Sequence, residues 1–309
     1  MAERKRHRYD AFGLTIESDF ELRELRAGDE DCAPDLRVLD RDIGRALPQA
    51  DDFSGFDYSD PDGAVFAWPG VAAFRFVDES TIWARLYDEA PEGIFSFPFL
   101  GPVMAWFLNM RRLFVLHSSA VHFEGKTLAL LGDKLAGKST TAAAFVRAGA
   151  SLVTDDLLAI RLASDAAPIC LPAFPQLKLE DVAAQSIKVE GASPRPLILD
   201  GFPKRQHTLP SMMEQSVPMT CLVQLKRGGE HPAFTRLDGP EAAGVLNRFS
   251  YLPRFGGAPW TKEDHARHFS NCLTLAQHAT VGTLQIPANL DRLDETVQMM
   301  RATLREMSP

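Results

Sequence analysis

The sequence has little cysteine: four residues in a chain of 309, each far from the others in the sequence. None of them belongs to a C-x-x-C pair. A disulfide framework or a zinc-ribbon site needs clustered cysteines, so neither is expected. We predict reduced thiols, no zinc and no structural disulfide, with the four thiols at Cys32, Cys170, Cys221 and Cys272.

Long apolar runs are missing as well. The most apolar region, 97–121, is interrupted by Asn109, Arg111 and Arg112, so no uncharged span is long enough to cross a bilayer. The opening MAERKRHRYD is basic, but no apolar segment follows it, as a signal peptide or a membrane anchor requires. We therefore expect a cytoplasmic protein with no membrane partner.

An excess of basic residues is also absent. Lys and Arg together number 33 against 41 Asp and Glu, which gives a net charge of −8. A nucleic-acid interface spread over the whole surface needs the opposite balance, so no nucleic-acid partner is expected. The apolar fraction of 45% in 309 residues is enough for one large domain or two moderate ones.

What the sequence does contain is a phosphate-loop pattern in TLALLGDKLAGKST, residues 127–140. Gly132, Gly137, Lys138 and Ser139 fit G-x-x-x-x-G-K-[ST]. The glycines allow backbone conformations that turn N–H groups inward, the lysine adds a charge for the β- and γ-phosphates, and the serine hydroxyl suits Mg²⁺. An apolar strand precedes the pattern and a helix ending at Gly149 follows it. This context favours a nucleotide site over an ordinary glycine turn.

The predicted elements divide the chain at about residue 112. Before it, branched and aromatic residues predict strands, and apolar residues at helical spacing predict one helix with a kink at Gly101-Pro102. The strands are predicted in 9–20, 36–39, 64–78 and 80–88, the last two as an antiparallel meander, and the helix over 97–112. We interpret 1–112 as a β-rich N-terminal domain closed by a helix.

Residues 113–309 are predicted to form a second, catalytic domain of α/β class. Strands are predicted at 114–123, 127–131, 150–162 and 219–225, and helices at 140–149, 239–249, 261–279 and 290–307. The proline-rich stretches 168–175 and 194–203 are predicted to be connections.

Two adjacent carboxylates, Asp155 and Asp156, lie within the apolar stretch 150–162. Burying such a pair is costly unless a cation or hydrogen bonds stabilise it. One alternative is a turn at a strand end with both groups in water. In a phosphate-loop protein one carboxylate is expected to help hold Mg²⁺ and the other to accept the proton of an attacking hydroxyl. Like charges this close raise one of the two pKa values, and the sequence leaves open which group is the base.

His117 lies fifteen residues before Gly132. If 114–123 and 127–131 pair as a hairpin, His117 lies toward the loop end and within reach of the phosphates. The alternative is a packed or solvated histidine, which is how we interpret the neighbouring His122.

His117, GDKLAGKS at 132–139 and LVTDD at 152–156 resemble, in order and spacing, the motifs of the HPr kinase/phosphorylase superfamily. The resemblance is strong over about 113–162 and weak elsewhere. It implies a P-loop kinase domain on a mostly β core, and transfer of the γ-phosphoryl group of ATP, with Mg²⁺, to a serine.

By position, the resemblance implies three sets of residues. The phosphate-binding set is Gly132, Asp133, Lys134, Leu135, Ala136, Gly137, Lys138, Ser139 and Thr140. The metal ligands would be Ser139 with Asp155 and Asp156, and the catalytic groups Lys138, Asp155 or Asp156 as base, and His117 near the transferred group. Lys204 and Arg205, in a predicted loop, are candidates for the γ-phosphate, with a solvated basic loop as the alternative; Lys178 is treated in the same way.

The sequence departs from the superfamily in ways that bear on the acceptor. Lys134-Leu135-Ala136 replaces the usual S-G-x of the loop, and the signature tied to dephosphorylation is not recognisable, so phosphorylase activity is not expected. The stretches YDAFGLTIESDFELREL at 9–25 and LHSSAV at 116–121 are more similar to HPr-kinase-like proteins of peptide-modifying gene clusters, including kinases of lasso-peptide precursors. That similarity implies a serine on a peptide or small protein as acceptor.

Two other functions stay open at this stage: a non-catalytic module that senses a nucleotide and binds a peptide, and a kinase of a small metabolite. The oligomeric state is not encoded in any motif, although relatives of this fold commonly form homo-oligomers. Preference for adenine over guanine is not encoded in a phosphate loop either.

Overall fold

The computed structural model describes residues 6–47, 49, 55–163, 165–197, 203–256 and 258–307. Part of the basic opening and part of the predicted connection 194–203 lie outside them. The described residues form two compact units. One contains those up to Arg112 and those of the segment 255–259, and the other contains the rest. No helix among the residues described is long and apolar enough to cross a membrane.

The first unit is built on one eight-stranded mixed sheet. Its strands are β1 His7–Ala11, β2 Leu14–Ser18, β3 Arg26–Ala27, β4 Leu36–Asp40, β5 Gly55–Asp57, β6 Val65–Trp68, β7 Ala72–Phe76 and β8 Thr81–Leu86, in the order β3-β1-β2-β4-β8-β7-β6-β5. The predicted meander is confirmed, because β6, β7 and β8 pair antiparallel. The prediction of one strand over 9–20 is wrong. Phe12 and Gly13 have φ of 56° and 68° and turn the chain into a β1–β2 hairpin.

The predicted helix of the first unit is present but interrupted. It consists of α1 Ser96–Pro98, a π-helical turn Phe99–Val103 and α2 Met104–Met110. The predicted kink is confirmed, since Gly101 leaves the helical region with φ −103° and ψ −108° just before Pro102.

The second unit is a mixed α/β arrangement with three sheets. Its strands are β9 Phe114–Leu116, β10 Ser118–Phe123, β11 Lys126–Leu131, β12 Ser151–Thr154, β13 Leu158–Ala163, β14 Ala166–Leu171, β15 Gln176–Leu179, β16 Ser193–Pro194, β17 Arg205–Thr208, β18 Val217–Pro218, β19 Cys221–Arg227, β20 Ala233–Arg236 and β21 Thr280–Ile286. The sheet orders are β12-β10-β11-β19-β21-β20, β18-β14-β13-β9 and β15-β17-β16.

The helices of this unit are α3 Lys138–Arg147, α4 Asp181–Ile187, α5 Gly239–Phe249, α6 Lys262–His278 and α7 Leu293–Glu306, with 3-10 turns at Leu252–Arg254 and Leu290–Arg292. The four predicted helices of this part of the chain are confirmed within a few residues at their ends. Thr261 caps α6 through a reciprocal pair of hydrogen bonds with Asp264.

Helix α3 packs closely against the six-stranded sheet because its inner face is made of small residues. Ala142, Ala143 and Ala144 are fully buried beside Phe145, which fills the space next to Phe123 of β10. Small side chains let the helix approach the sheet, and the single aromatic ring supplies the apolar area. This packing fixes the direction in which α3 leaves the loop that precedes it.

Two predicted strands turn out to be broken, and the breaks face each other. The stretch 114–123 is divided at His117 into β9 and β10, and 150–162 is divided at Asp155 and Asp156 into β12 and β13. Strand β9 pairs with β13 in one sheet, and β10 pairs with β12 in the next. Both segments therefore pass from one sheet to the other at the same place, which brings the histidine and the carboxylates together.

A third prediction is also wrong. Residues 168–175 were expected to be a connection, but 166–171 form β14, which pairs with β13 and β18. Pro168 is compatible with this position because the register between β13 and β14 shifts between Arg161 and Ala163, and because the carbonyl of Pro168 accepts from the N–H of Met219.

Candidate active site

The predicted phosphate loop runs from the end of β11 to the start of α3. Gly137 has φ of 96° and is the first flanking residue of the helix, where no side chain caps the backbone N–H groups. Those N–H groups of the first turn have no partner within the helix and are available to an anion. Helix α3 spans ten residues, so its dipole adds to their effect.

The two loop glycines serve different purposes, which corrects our expectation that both are needed for their dihedral angles. Only Gly137 of the two has a positive φ. At Gly132 the limit is space, since a Cβ there would lie 2.7 Å from the Cβ of Ala136. The loop closes on itself, with the N–H of Ala136 donating to the carbonyl of Asp133 at 3.1 Å.

Leu135 is the unusual residue of the loop. It has φ of 68°, in the region that favours glycine, and the residue is 53% exposed. The sequence assigned Leu135 to the loop as one of its phosphate-binding backbone positions and gave no sign of this conformation. A left-handed, exposed leucine in the loop stores strain without burying its apolar side chain.

Lys138 points into the loop and is 7% exposed. Its Nζ donates to the carbonyls of Gly132 at 2.8 Å and of Asp133 at 3.3 Å. Burial lowers the pKa of Lys138, while the carboxylates of Asp156 and Asp155 act in the opposite direction. The charges of both carboxylates therefore act on the loop lysine.

Asp155 is held rigidly. It is 5% exposed, and its two oxygens accept hydrogen bonds from the Ser119 hydroxyl and, at 2.9 Å, from the backbone N–H of Lys178. Burial, and then the charge of Asp156, raise the pKa of Asp155. Both oxygens are occupied by protein donors, so Asp155 acts on the site chiefly by fixing the turn.

Asp156 faces the loop more openly, with 30% of its side chain exposed. Its φ of 75° is part of the tight turn between β12 and β13, which the hydroxyl of Thr154 closes by donating to the carbonyl of Leu157. Burial would raise the pKa of Asp156, but the Lys178 ammonium, 2.6 Å from Oδ2, and the ring of His117 outweigh it and lower that pKa. Asp156 is therefore ionised at neutral pH. The pKa values of the two neighbouring acids are thus shifted in opposite directions.

His117 lies at the break between β9 and β10. Its Nδ1 donates to the carbonyl of Asp156 at 3.0 Å, and its backbone N–H donates to the carbonyl of Phe249 at 2.8 Å. Burial, and then the charge of Lys138, lower the pKa of His117 to about 4. At neutral pH the ring is uncharged, with the proton on Nδ1 and a lone pair on Nε2.

The remaining candidate residues differ in burial and in the direction of their side chains. Ser139 is buried and Thr140 half-buried in the first turn of α3, while Asp133 and Lys134 are exposed on the outside of the loop. Lys204 is half-buried, and its charge acts on both Lys138 and Asp156. Arg205 is directed elsewhere, to Asp181 at 3.3 Å and to the carbonyl of Arg195 at 3.1 Å.

Three further residues lie beside His117 or Asp155, although the sequence did not single them out for a role. Ser119 holds Asp155, Tyr251 packs edge-on against His117 with ring centroids 6.0 Å apart, and Arg254 lies over the Tyr251 ring at 5.4 Å. The charge of Arg254 acts on His117 and Lys138. Ser119 could have been found from LHSSAV, because it alternates with His117 along the chain. Nothing in the sequence near Arg254 points to the loop.

The residues present fit a nucleotide triphosphate with Mg²⁺. The uncapped N–H groups of α3 and Lys138 suit phosphate, and the Ser139 hydroxyl and the Asp156 carboxylate are the hard oxygen ligands that Mg²⁺ prefers. The Oγ1 of Thr141 is buried near Gly137 without a hydrogen-bond partner. Among the residues described, no group of three or more His, Cys, Asp or Glu side chains is placed to hold a metal by itself. Mg²⁺ at phosphate sites commonly needs only one or two carboxylates besides the phosphates.

Comparison with known proteins adds one structural similarity. No protein-family model and no curated protein matches the sequence. One of the solved structures to which the chain is similar is the Hpr(Ser) kinase/phosphatase from Coxiella burnetii, at a TM-score of 0.32 and 12% identity, over 62% of this chain and 98% of that chain. A TM-score this low supports no conclusion about the fold or the site, so the function rests on the residues described above.

Proposed function

We propose that this protein is an ATP-dependent serine kinase that transfers the γ-phosphoryl group to a serine of a peptide or small protein. The observation that carries the proposal is the placement of Asp156 near the phosphate loop. This carboxylate lies on a tight turn, its residue is hydrogen-bonded to His117 and Lys178, and its charge acts on the loop lysine Lys138. A purely structural glycine turn has no need of a carboxylate held in this way. The resemblance of the loop, His117 and LVTDD to HPr-kinase-like proteins adds the serine and names lasso-peptide precursors as candidate acceptors.

The roles of the residues follow from their surroundings. The first-turn N–H groups of α3 and Lys138 bind and orient the phosphates, and Ser139 with Asp156 would hold Mg²⁺, which supplies positive charge to the phosphoryl oxygens. Asp156 orients the acceptor hydroxyl and takes its proton late in the transfer, because phosphoryl transfer passes through a loose transition state that needs little base strength. Asp155 is a positioning residue, since both of its oxygens are occupied.

The neutral His117 has a distinct part in this proposal. With Nδ1–H directed to the carbonyl of Asp156, the ring supports the turn that carries the base, and the lone pair on Nε2 is left for a hydrogen-bond donor near the transferred group other than the acceptor hydroxyl, whose proton goes to Asp156. Lys204 adds a second positive charge beside Lys138 and Asp156 and is the candidate cation for the γ-phosphate. Arg205 is not given this role, because it is paired with Asp181.

Mass spectrometry of a candidate peptide encoded beside this gene, incubated with the protein and Mg-ATP, tests the proposal. We expect a gain of one phosphate on a serine, lost in Lys138→Ala and reduced at least about 10²-fold in turnover by Asp156→Asn, with nucleotide affinity changed far less. Lys262→Ala and Asp165→Asn are matched controls, because both side chains are exposed and lie outside the site residues described above.

The other outcomes identify the alternatives. Nucleotide binding without phosphate on any serine would indicate the sensing module, and phosphorylation of a small metabolite alone would indicate the metabolite kinase. Full transfer by Asp156→Asn and by Asp155→Asn would show that neither carboxylate is the base.

A further inference from the structure

One residue, Lys178, contacts both carboxylates of the site. Its backbone N–H donates to Oδ2 of Asp155 at 2.9 Å, and its Nζ lies 2.6 Å from Oδ2 of Asp156. The sequence offered Lys178, like Lys204 and Arg205, as a candidate for the γ-phosphate, with a solvated surface lysine as the alternative, and gave no sign of a contact with the carboxylates. In the fold, it connects the small three-stranded sheet to the turn that carries the carboxylates.

The local sequence explains why Lys178 points toward the site. Leu177 and Leu179, its neighbours in β15, are buried in the core beneath α3. Side chains alternate along a strand, so Lys178 is directed to the opposite face. Pairing of β15 with β17, which sets Lys178 opposite Gln206, fixes the height of Lys178 along the strand.

The ammonium of Lys178 is bound to Oδ2 of Asp156, an oxygen that a divalent metal held by this carboxylate would also use. Mg²⁺ binds a carboxylate oxygen at about 2.0–2.1 Å. An ammonium at 2.6 Å from Oδ2 uses the same oxygen and adds a like charge beside the incoming ion. A divalent ion and Lys178 therefore compete for one carboxylate.

We propose that Lys178 is a tethered cation that holds Asp156 in the nucleotide-free protein and must leave this oxygen before a divalent metal binds there. This inference rests on the metal-binding part of the proposed function. Metal then binds well only together with a nucleotide, because the phosphates supply the further oxygens for the metal and a second anion for the displaced ammonium. A metal-loaded site without nucleotide is disfavoured.

The chemistry of lysine suits such a displacement. Its ammonium is a compact charge on a flexible four-carbon stem, unlike the planar guanidinium of arginine. The side chains of Lys178 and Asp156 are 22% and 30% exposed, so the pair lies at the edge of the site and the ammonium can move without opening the core. The backbone bond from Lys178 to Asp155 stays in place while the side chain moves.

Titration of the nucleotide-free protein with Mn²⁺, with free Mn²⁺ read by electron paramagnetic resonance, tests the inference. We expect weak binding to the wild-type protein and roughly tenfold tighter binding to Lys178→Met, a change that corresponds to about 1.4 kcal/mol. The added affinity is expected to disappear in the double variant Lys178→Met/Asp156→Asn. Lys178→Arg keeps a cation and is expected to bind Mn²⁺ as weakly as the wild type.

Lys262→Met is the matched control, since it removes an exposed lysine at the start of α6 and is expected to leave Mn²⁺ binding unchanged. Circular dichroism melting establishes that each variant is folded. The inference is overturned if folded Lys178→Met binds Mn²⁺ no more tightly than the wild type, or if its tighter binding persists without Asp156. Phosphoryl transfer is not part of this assay, so an absent kinase activity and an absent Mn²⁺ effect are distinguished.

Discussion

A side chain at position 132 of the phosphate loop should be tolerated only if the side chain of Ala136 is removed. A Cβ at Gly132 would lie 2.7 Å from the Cβ of Ala136, whereas carbon atoms normally approach to about 3.5–4.0 Å. The Ala136 methyl is attached directly to the loop backbone, so only a loop movement of roughly 1 Å relieves the contact. We expect Gly132→Ala to destabilise the protein by about 1–3 kcal/mol. Displaced loop N–H groups should weaken nucleotide binding by up to about 10²-fold.

The second change isolates the cause. Ala136→Gly removes the opposing methyl, so the double variant Gly132→Ala/Ala136→Gly should recover most of what Gly132→Ala loses. Urea unfolding and the affinity for a fluorescent ATP analogue, measured for the wild type, both single variants and the double variant, give the coupling energy between the two positions. We expect a favourable coupling of at least about 1 kcal/mol in stability, as for residues in direct contact.

Two other glycines are controls for this cycle. Gly137 has φ of 96°, which is strained for alanine, and a Cβ there would lie no closer than 3.4 Å to another atom. The loss in Gly137→Ala therefore comes from the backbone, and Ala136→Gly should not restore it. Gly244 lies in α5, and a Cβ there would meet no atom within 4 Å, so Gly244→Ala should stabilise the protein by about 0.5–1 kcal/mol. If the losses of Gly132→Ala and Ala136→Gly simply add within about 0.5 kcal/mol, crowding is not the reason for a glycine at 132.

Three further predictions concern single groups of the site. Leu135→Gly should raise the free energy of unfolding in urea by up to about 1 kcal/mol, because it removes a left-handed leucine, and a decrease would contradict the assigned strain. The pKa of His117 is about 4 in the folded protein and about 6.5 in the unfolded chain, so the unfolded chain binds more protons between these pH values. The free energy of unfolding should therefore fall as the pH drops from 6.5 to 4. His117→Gln should reduce this pH dependence, measured by unfolding in urea at several pH values. Asp155→Asn should cost less than about 1 kcal/mol, because the amide oxygen can accept from the backbone N–H of Lys178 while the amide NH2 donates to the Ser119 hydroxyl. Asp155→Leu leaves the Ser119 hydroxyl and the Lys178 N–H without that acceptor and should cost about 2–5 kcal/mol, and equal losses for the two variants would contradict this account.

The parts of the fold encoded within one stretch of chain were predictable. The loop, the strand before it and α3 all lie within 126–147, and their signals are local: an apolar run, two glycines and a series of alanines. The β10–β11 hairpin was predictable for the same reason, because Glu124 and Gly125 both have positive φ and form a tight turn between two apolar strands. In each case neighbouring residues alone determine the conformation.

Apolar patterning did not predict that the two strands are broken. The residues on either side of both breaks are largely buried, so the strand pattern continues across them, and only the alternative interpretation of Asp155 and Asp156 as a turn at a strand end marked one of the two breaks. What decides the break is the partner: β13 pairs with β9, and β10 pairs with β12. Apolar patterning reports burial, and pairing between distant segments decides which sheet each half of a strand joins.

The carboxylate pair shows why the residues of a site and their roles differ in predictability. Asp155 and Asp156 could be found from the sequence because two adjacent acids in an apolar stretch are costly to bury without a stabilising cation or hydrogen bonds. Their separate roles depend on Lys178, which lies 22 residues beyond Asp156 and reaches it only because β15 pairs with β17. Asp155 accepts hydrogen bonds from the Ser119 hydroxyl and from the backbone N–H of Lys178, and the Lys178 ammonium lowers the pKa of Asp156. The difference between the two acids therefore depends on partners from other strands and is absent from the motif itself.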